Sequence, residues 1–190
     1  MFGTVLGGAA QVVQPDMVTF SAVIGACRGG QWLAVIGLVR DMRRMGLQPN
    51  AITYHSTIGA CQKVKQWEWA LDLLGEFRRS GLHLDIITCN SAISACEEEG
   101  QWRGACTALG SMHRIGLELH VITCNVAISA CGKGMQWLCA TNLLDKMQTA
   151  GMLPDQVTYN SASRACNKAG YWAGALSLLR QVWWAGSEPP

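Results

Sequence analysis

The same residues return every 35 positions along this chain, and a period of that length settles the architecture before any local propensity is weighed. The segments DMVTFSAVIGAC, NAITYHSTIGAC, DIITCNSAISAC, HVITCNVAISAC and DQVTYNSASRAC begin at Asp16, Asn50, Asp85, His120 and Asp155, one step of 34 followed by three of 35. Trp32, Trp67, Trp102, Trp137 and Trp172 recur in parallel, as do Gly46, Gly81, Gly116, Gly151 and Gly186. The shorter first step falls between Cys27 and Trp32, where one residue fewer separates the two markers.

Within a unit the apolar residues keep helical spacing: Ile87, Ala92, Ile93, Ala95 and Cys96, then Trp102, Ala105, Cys106, Leu109 and Met112. Each unit therefore reads as two helices. RGGQW, EEEGQW and NKAGYW supply the polar and glycine residues of the turn between them. The second helix ends at stretches such as RRMGLQP and QTAGMLP, where basic residues, a glycine for the left-handed cap and a proline beyond it stop the helix. A lone helix pair cannot bury its apolar face, so stacking of neighbours is expected to build one continuous core.

The expected units are 17–50, 51–85, 86–120, 121–155 and 156–190, with 1–16 a remnant of a preceding unit or a disordered lead. FGTVLGGAA is too glycine-rich for a good helix, and WWAGSEPP closes the last unit without a polar cap, leaving Trp183 and Trp184 uncovered. The chain thus reads as a fragment or short member of a longer array.

Composition narrows the function. At 190 residues with 49% hydrophobic and 15% charged residues there is ample material for a core, while a net charge of +2 is far from the dense basic surface that grips duplex nucleic acid by its phosphates. No run of 18 apolar residues suggests a membrane span, and MFGTVLGGAAQVV lacks the basic or Arg- and Ser-rich character of an address peptide. The chain reads as soluble, without a membrane partner.

Nine cysteines raise the question of disulfides or metal. Cys27, Cys61, Cys96, Cys131 and Cys166 form a ladder, but equivalent points on stacked units lie roughly 8 to 10 Å apart, beyond the roughly 7 Å Cα limit of a disulfide. Cys89 with Cys96 and Cys124 with Cys131 are seven apart on one helix, about 10 Å along its axis, too far to share zinc. Reduced core cysteines, no metal and no cofactor are expected. His55, His83, His113 and His120 include no pair at ligand spacing on one helix, no phosphate-cradling glycine loop occurs, and no carboxylate pair recurs, so the chain is not expected to be an enzyme.

The 35-residue period, V-T-Y-N opening the first helix and G-L-x-P-D closing the unit together resemble the pentatricopeptide-repeat family over residues 17–190. The tetratricopeptide pattern, with its 34-residue period and different Trp, Gly and Tyr arrangement, fits less well. The resemblance implies an all-α, right-handed superhelical solenoid of antiparallel helix pairs, first helices lining the concave face. It also implies binding of single-stranded RNA, one base per unit, read by the fifth residue of the first helix with the last residue of the unit.

By that resemblance the fifth positions are Ser21, His55, Asn90, Asn125 and Asn160, and the last are Asn50, Asp85, His120, Asp155 and Pro190. Asn125 with Asp155 resembles a pair preferring uracil, and Ser21 with Asn50 one preferring adenine. His55 with Asp85, Asn90 with His120 and Asn160 with Pro190 depart from the common pairs. Val18, Ile52, Ile87, Ile122 and Val157 resemble the aliphatic wedges that sandwich each base, although the same residues would equally suit a core.

Short amide or hydroxyl side chains suit the reading role, since they offer a donor and an acceptor to a base edge. Asp16, Asn50, Asp85 and Asp155 also stand where helices take N-caps for structural reasons alone. Lys63, Lys133 and Lys168, two residues after the ladder cysteine, are candidates for phosphate contact. The third unit has Glu98 there, within Glu97, Glu98 and Glu99, and is expected to repel RNA locally. The tryptophans, at the start of the second helix, suit inter-helix packing better than base stacking.

The resemblance further implies a role in organelle RNA processing, editing, stability or translation, in chloroplast or mitochondrion, alongside other proteins of an RNA-processing complex. The competing expectation is a helical-repeat scaffold holding a protein or peptide without RNA, which the weak net charge and the unusual pairs favour.

Overall fold

The computed structural model describes residues 16–27 and 31–185, and these contain ten α-helices and no strand. Five first helices, α1 (Met17–Ala26), α3 (Ala51–Lys63), α5 (Ile86–Glu98), α7 (Val121–Lys133) and α9 (Gln156–Lys168), alternate with five second helices. These are α2 (Trp32–Arg44), α4 (Trp67–Arg79), α6 (Trp102–Arg114), α8 (Trp137–Thr149) and α10 (Trp172–Ala185). The leading segment up to residue 15, Gly186 and Pro190 lie outside the described residues.

Local chemistry fixes both ends of the helices. Asp16, Asn50, Asp85 and Asp155 each accept the amide N–H of the threonine three residues on, at 2.6 to 2.8 Å, which satisfies a donor the helix cannot use. His120 opens α7 without a side-chain cap bond. Gly46, Gly81, Gly116 and Gly151 take φ of +74° to +75° directly after a second helix, a conformation that costs glycine nothing. At three of these ends the next N–H then reaches back across the last turn, as from Leu47 to the Met42 carbonyl at 2.9 Å, Leu117 to Met112 at 3.1 Å and Met152 to Met147 at 3.0 Å. First helices close the same way through Lys65, Gly100, Met135 and Gly170, with Cys61, Cys96, Cys131 and Cys166 as the accepting carbonyls.

Each first helix packs on its own second helix and on the first helices before and after it. Among the second helices only α4 and α6 bring their backbones close together. Stacked tightly along one edge and spread along the other, the helix pairs form a solenoid whose inner wall is the row α1, α3, α5, α7 and α9.

The core follows the stacking, with one interruption. From Tyr54 to Leu178 the buried residues form a single cluster, built on Ile58, Phe77, Ile93, Met112, Ile128 and Met147. Phe20, Ile24, Val35, Val39 and Met42 form a separate cluster inside the first helix pair. At the first junction the two clusters are joined only through half-buried side chains, Ile36 of α2 packing on the main cluster and Ala60 of α3 on the first. There α1 is 10 residues long against 13 for the other first helices, and Ala22, Val23, Gly25 and Ala26 are exposed. Trp67, Trp102 and Trp137 pack half-buried against the main core, and the Trp137 ring stacks on Tyr171 of the next pair at 4.0 Å. Trp183 is exposed, and the side chain of Trp184 lies outside the described residues.

Candidate functional site

Val18, Ile52, Ile87, Ile122 and Val157 are 58 to 73% exposed, one on each first helix. These residues are therefore not core. Water-facing aliphatics at five equivalent places cost solubility and add nothing to folding. The fifth residue of each helix lies three positions further on, so the two share a face of the helix. Ser21, His55 and Asn90 are half-buried, Asn125 is 8% exposed and Asn160 is exposed.

The first four of these fifth residues are oriented by a shared device. Ser21 Oγ lies 3.1 Å from Thr53 Oγ1 and His55 Nδ1 lies 3.1 Å from Thr88 Oγ1. Thr123 Oγ1 donates to Asn90 Oδ1 at 2.7 Å, and Thr158 Oγ1 donates to Asn125 Oδ1. In every case the partner is the third residue of the following first helix. Thr53, Thr88, Thr123 and Thr158 are fully buried, and three of them are held by the capping residue that precedes them. These four side chains are thus each fixed by the unit after them. The threonines recur in VTF, ITY, ITC, ITC and VTY, at the opening of each first helix, and stacking of the units gives four of them their partner.

Around Asn125 the device is most complete. The Asn125 amide nitrogen donates to both carboxylate oxygens of Asp155 at 3.1 and 3.2 Å. Asp155 simultaneously caps α9 by accepting Thr158 N–H at 2.8 Å, and its own N–H donates to Thr158 Oγ1 at 3.1 Å. These donors, the Thr158 N–H first, hold the Asp155 carboxyl below the ordinary carboxylate range. Capping and orienting Asn125 are therefore one arrangement and not rival explanations. The bonds use one N–H and one lone pair of the Asn125 amide, so one donor and one acceptor remain for a further partner. At Asn160 the matching last residue is Pro190, which lies outside the described residues.

Charge is placed less simply. Lys63 and Lys168 are exposed at the ends of α3 and α9 and enter no ion pair among the described residues. Lys133 instead binds Glu97 of the preceding unit at 2.9 Å, and Glu97 also accepts from Ser129 Oγ at 2.8 Å. Lys65 lies 3.6 Å from Glu98 and 3.9 Å from Glu99. The acidic run expected to repel a polyanion is thus largely matched by lysines from the units on either side.

On the first helices Cys61, Cys89, Cys96, Cys124, Cys131 and Cys166 are buried, and Cys27 at the end of α1 is half-buried. Burial pushes the thiols of Cys61 and Cys124 up to about 11 and those of Cys89 and Cys96 up to about 12. Cys106, on a second helix, differs: S–H donation from Cys131, the nearby Cys139 and the Lys146 ammonium lower its pKa. Among the described residues no helix is long and apolar enough to cross a membrane.

Comparison with known families agrees with this construction. A profile described as a pentatricopeptide repeat domain matches residues 72–134 and 107–169. Profiles described as PPR repeat family and PPR repeat match 15–63, and 52–82 with 157–186. The chain belongs to the pentatricopeptide-repeat family. The maize pentatricopeptide repeat protein PPR10 superposes with a TM-score of 0.68 at 26% identity, over 95% of this chain and 26% of PPR10. In complex with an 18-nt psaJ RNA element, PPR10 superposes with a TM-score of 0.72 at 23% identity, over 94% of this chain and again 26% of PPR10. The PPR domain of Arabidopsis thaliana protein-only RNase P 1, solved with tRNA, superposes with a TM-score of 0.67 at 11% identity, over 92% of this chain and 89% of that one. This pentatricopeptide-repeat chain therefore spans about a quarter of PPR10. No match is found among curated proteins.

Proposed function

We propose that this chain binds single-stranded RNA along its inner wall, one base to a unit, and acts as a binding scaffold in organelle RNA processing, editing, stability or translation. The observation that carries the reading is the row of exposed aliphatics at Val18, Ile52, Ile87, Ile122 and Val157 beside a row of polar side chains held by threonines. Flat apolar surface covers the face of a base, and an oriented donor and acceptor read its edge. Membership of a family whose solved relatives include PPR10 with RNA supports it.

Asn125, with one N–H and one lone pair left over, matches the adjacent acceptor and N–H of a uracil edge, and Asp155 fixes its orientation. The pair Ser21 and Asn50 is assigned to adenine. His55 with Asp85 and Asn90 with His120 complete the wall without a base assigned. Lys63 and Lys168 contact backbone phosphates, and Lys133 does so only when released from Glu97. The units run 17–50, 51–85, 86–120, 121–155 and 156–190.

The test is a titration of labelled RNA carrying A and U three nucleotides apart, against scrambled RNA and DNA of equal length. Tighter binding of the A/U oligonucleotide at low salt is expected. Equal binding of all three, or of none, sinks the reading in favour of a scaffold that holds protein.

A further inference from the structure

Three cysteines that are remote in sequence converge where the third and fourth helix pairs meet. Cys106 projects from α6, Cys131 from α7 and Cys139 from α8. The Cys106 sulfur lies 3.3 Å from that of Cys139 and 3.9 Å from that of Cys131, and all three lie within 4.8 Å of one another. We propose that these thiols form a zinc site that clamps the third unit to the fourth.

Cysteines seven apart on one helix, or at equivalent places on successive units, lie too far apart to share a metal. Cys106 and Cys139 are neither: they are 33 residues apart, two short of the period, so each projects into the space between α6 and α8. The geometry suits a metal. For these separations the circle through the three sulfurs has a radius of about 2.1 to 2.4 Å, and tetrahedral zinc, with Zn–S bonds of about 2.3 Å, needs about 2.2 Å. Tetrahedral zinc places its sulfurs about 3.8 Å apart, within the range found.

A disulfide suits it less. No Cα of α6 lies within 8 Å of any Cα of α8, while a Cys106–Cys139 bridge needs Cα atoms within about 7 Å. Oxidation would therefore have to drag two helices together, whereas a metal needs only small side-chain adjustments. Binding releases the thiol protons, and no redox change occurs.

Charge and access identify the cation. Three thiolates around Zn(II) leave one negative charge, and Lys146 lines the same groove as Cys106 and Cys139. A monovalent soft cation would leave two. Cys131 is fully buried, but Cys106 and Cys139 line a groove of 440 Å³ shared with His113, Asn142 and Lys146. That groove gives a fourth, water ligand room. With its first-helix, second-helix and cross-unit ligands, the site sets the pitch between the unit of Asn90 and the unit of Asn125.

The test is a titration of the reduced, metal-free chain with Zn(II) against a chromophoric chelator, and separately with Cd(II), whose charge-transfer band counts bound thiolates. One Zn(II) per chain below micromolar Kd, three thiolates per Cd(II), and a Tm raised by zinc are expected. Cys139→Ser, at a half-exposed position that leaves the fold intact by circular dichroism, should weaken Zn(II) binding at least 100-fold; Cys27→Ser should not change it. Absence of stoichiometric zinc, binding retained in Cys139→Ser, or binding of Cu(I) but not Zn(II) would each overturn the assignment.

Discussion

Replacing Ile87 and Ile122 together by alanine separates a binding surface from a core. Fully burying an isoleucine is worth about 1.5 to 3 kcal/mol, and these two are 64% and 70% exposed in the free chain. About two thirds of that free energy, roughly 1 to 2 kcal/mol at each position, is therefore still available to a ligand that covers them. Alanine keeps the Cβ, so a loss near 1 kcal/mol per position, about 5-fold in Kd each and about 25-fold together, is expected. Folding should barely respond, with less than about 1 kcal/mol lost for the pair. Ile93→Ala, at a fully buried position, is the contrast and should cost about 2 to 5 kcal/mol. Fluorescence anisotropy with RNA and urea denaturation read the two quantities. Unchanged RNA affinity, or a loss of stability like that of Ile93→Ala, would refute the reasoning.

A Cβ at Gly134 would sit 2.7 Å from Trp102 Cδ1 and 2.9 Å from the Gly100 carbonyl, so Gly134→Ala should lose about 1 to 3 kcal/mol in denaturation. Gly110→Ala, in the interior of α6 with open space around it, should instead gain up to about 1 kcal/mol. Glu97→Gln keeps an acceptor for Ser129 but releases Lys133, so the slope of log K against log salt for RNA should steepen by about 0.7. The folded-state pKa of Asp155 is depressed, so its contribution is present above the unfolded carboxylate value near 3.9 and is lost as pH falls through the folded value. Acid unfolding followed by circular dichroism should show a smaller loss below about pH 4 in Asp155→Asn, whose amide still caps α9.

Much of the architecture was legible because each helix boundary is set locally. The caps at Asp16, Asn50, Asp85 and Asp155 and the left-handed glycines at 46, 81, 116 and 151 act within a few residues of themselves. What spacing could not reveal is contact between units. First helices are hemmed in by neighbours on several sides, so apolar residues occur all round them, and pattern alone could not tell exposed Ile87 from buried Ile93. The pairing of Lys133 with Glu97 spans 36 residues, one more than the period, and the run at 97–99 consequently looked purely repulsive. The meeting of Cys106 with Cys139 was hidden for the same reason, since it joins unlike places of adjacent units.

Asn125, held both by Asp155 of its own unit and by Thr158 of the next, is the side chain at which the reading of one base by one unit is tested most directly. Exchanging Asn125→Thr with Asp155 kept, and measuring Kd for two RNAs that differ only by U or G at the base facing this unit, tests it directly. Preference should move from uracil toward guanine, with binding to the rest of the strand unaltered. The same preference before and after the exchange would contradict it.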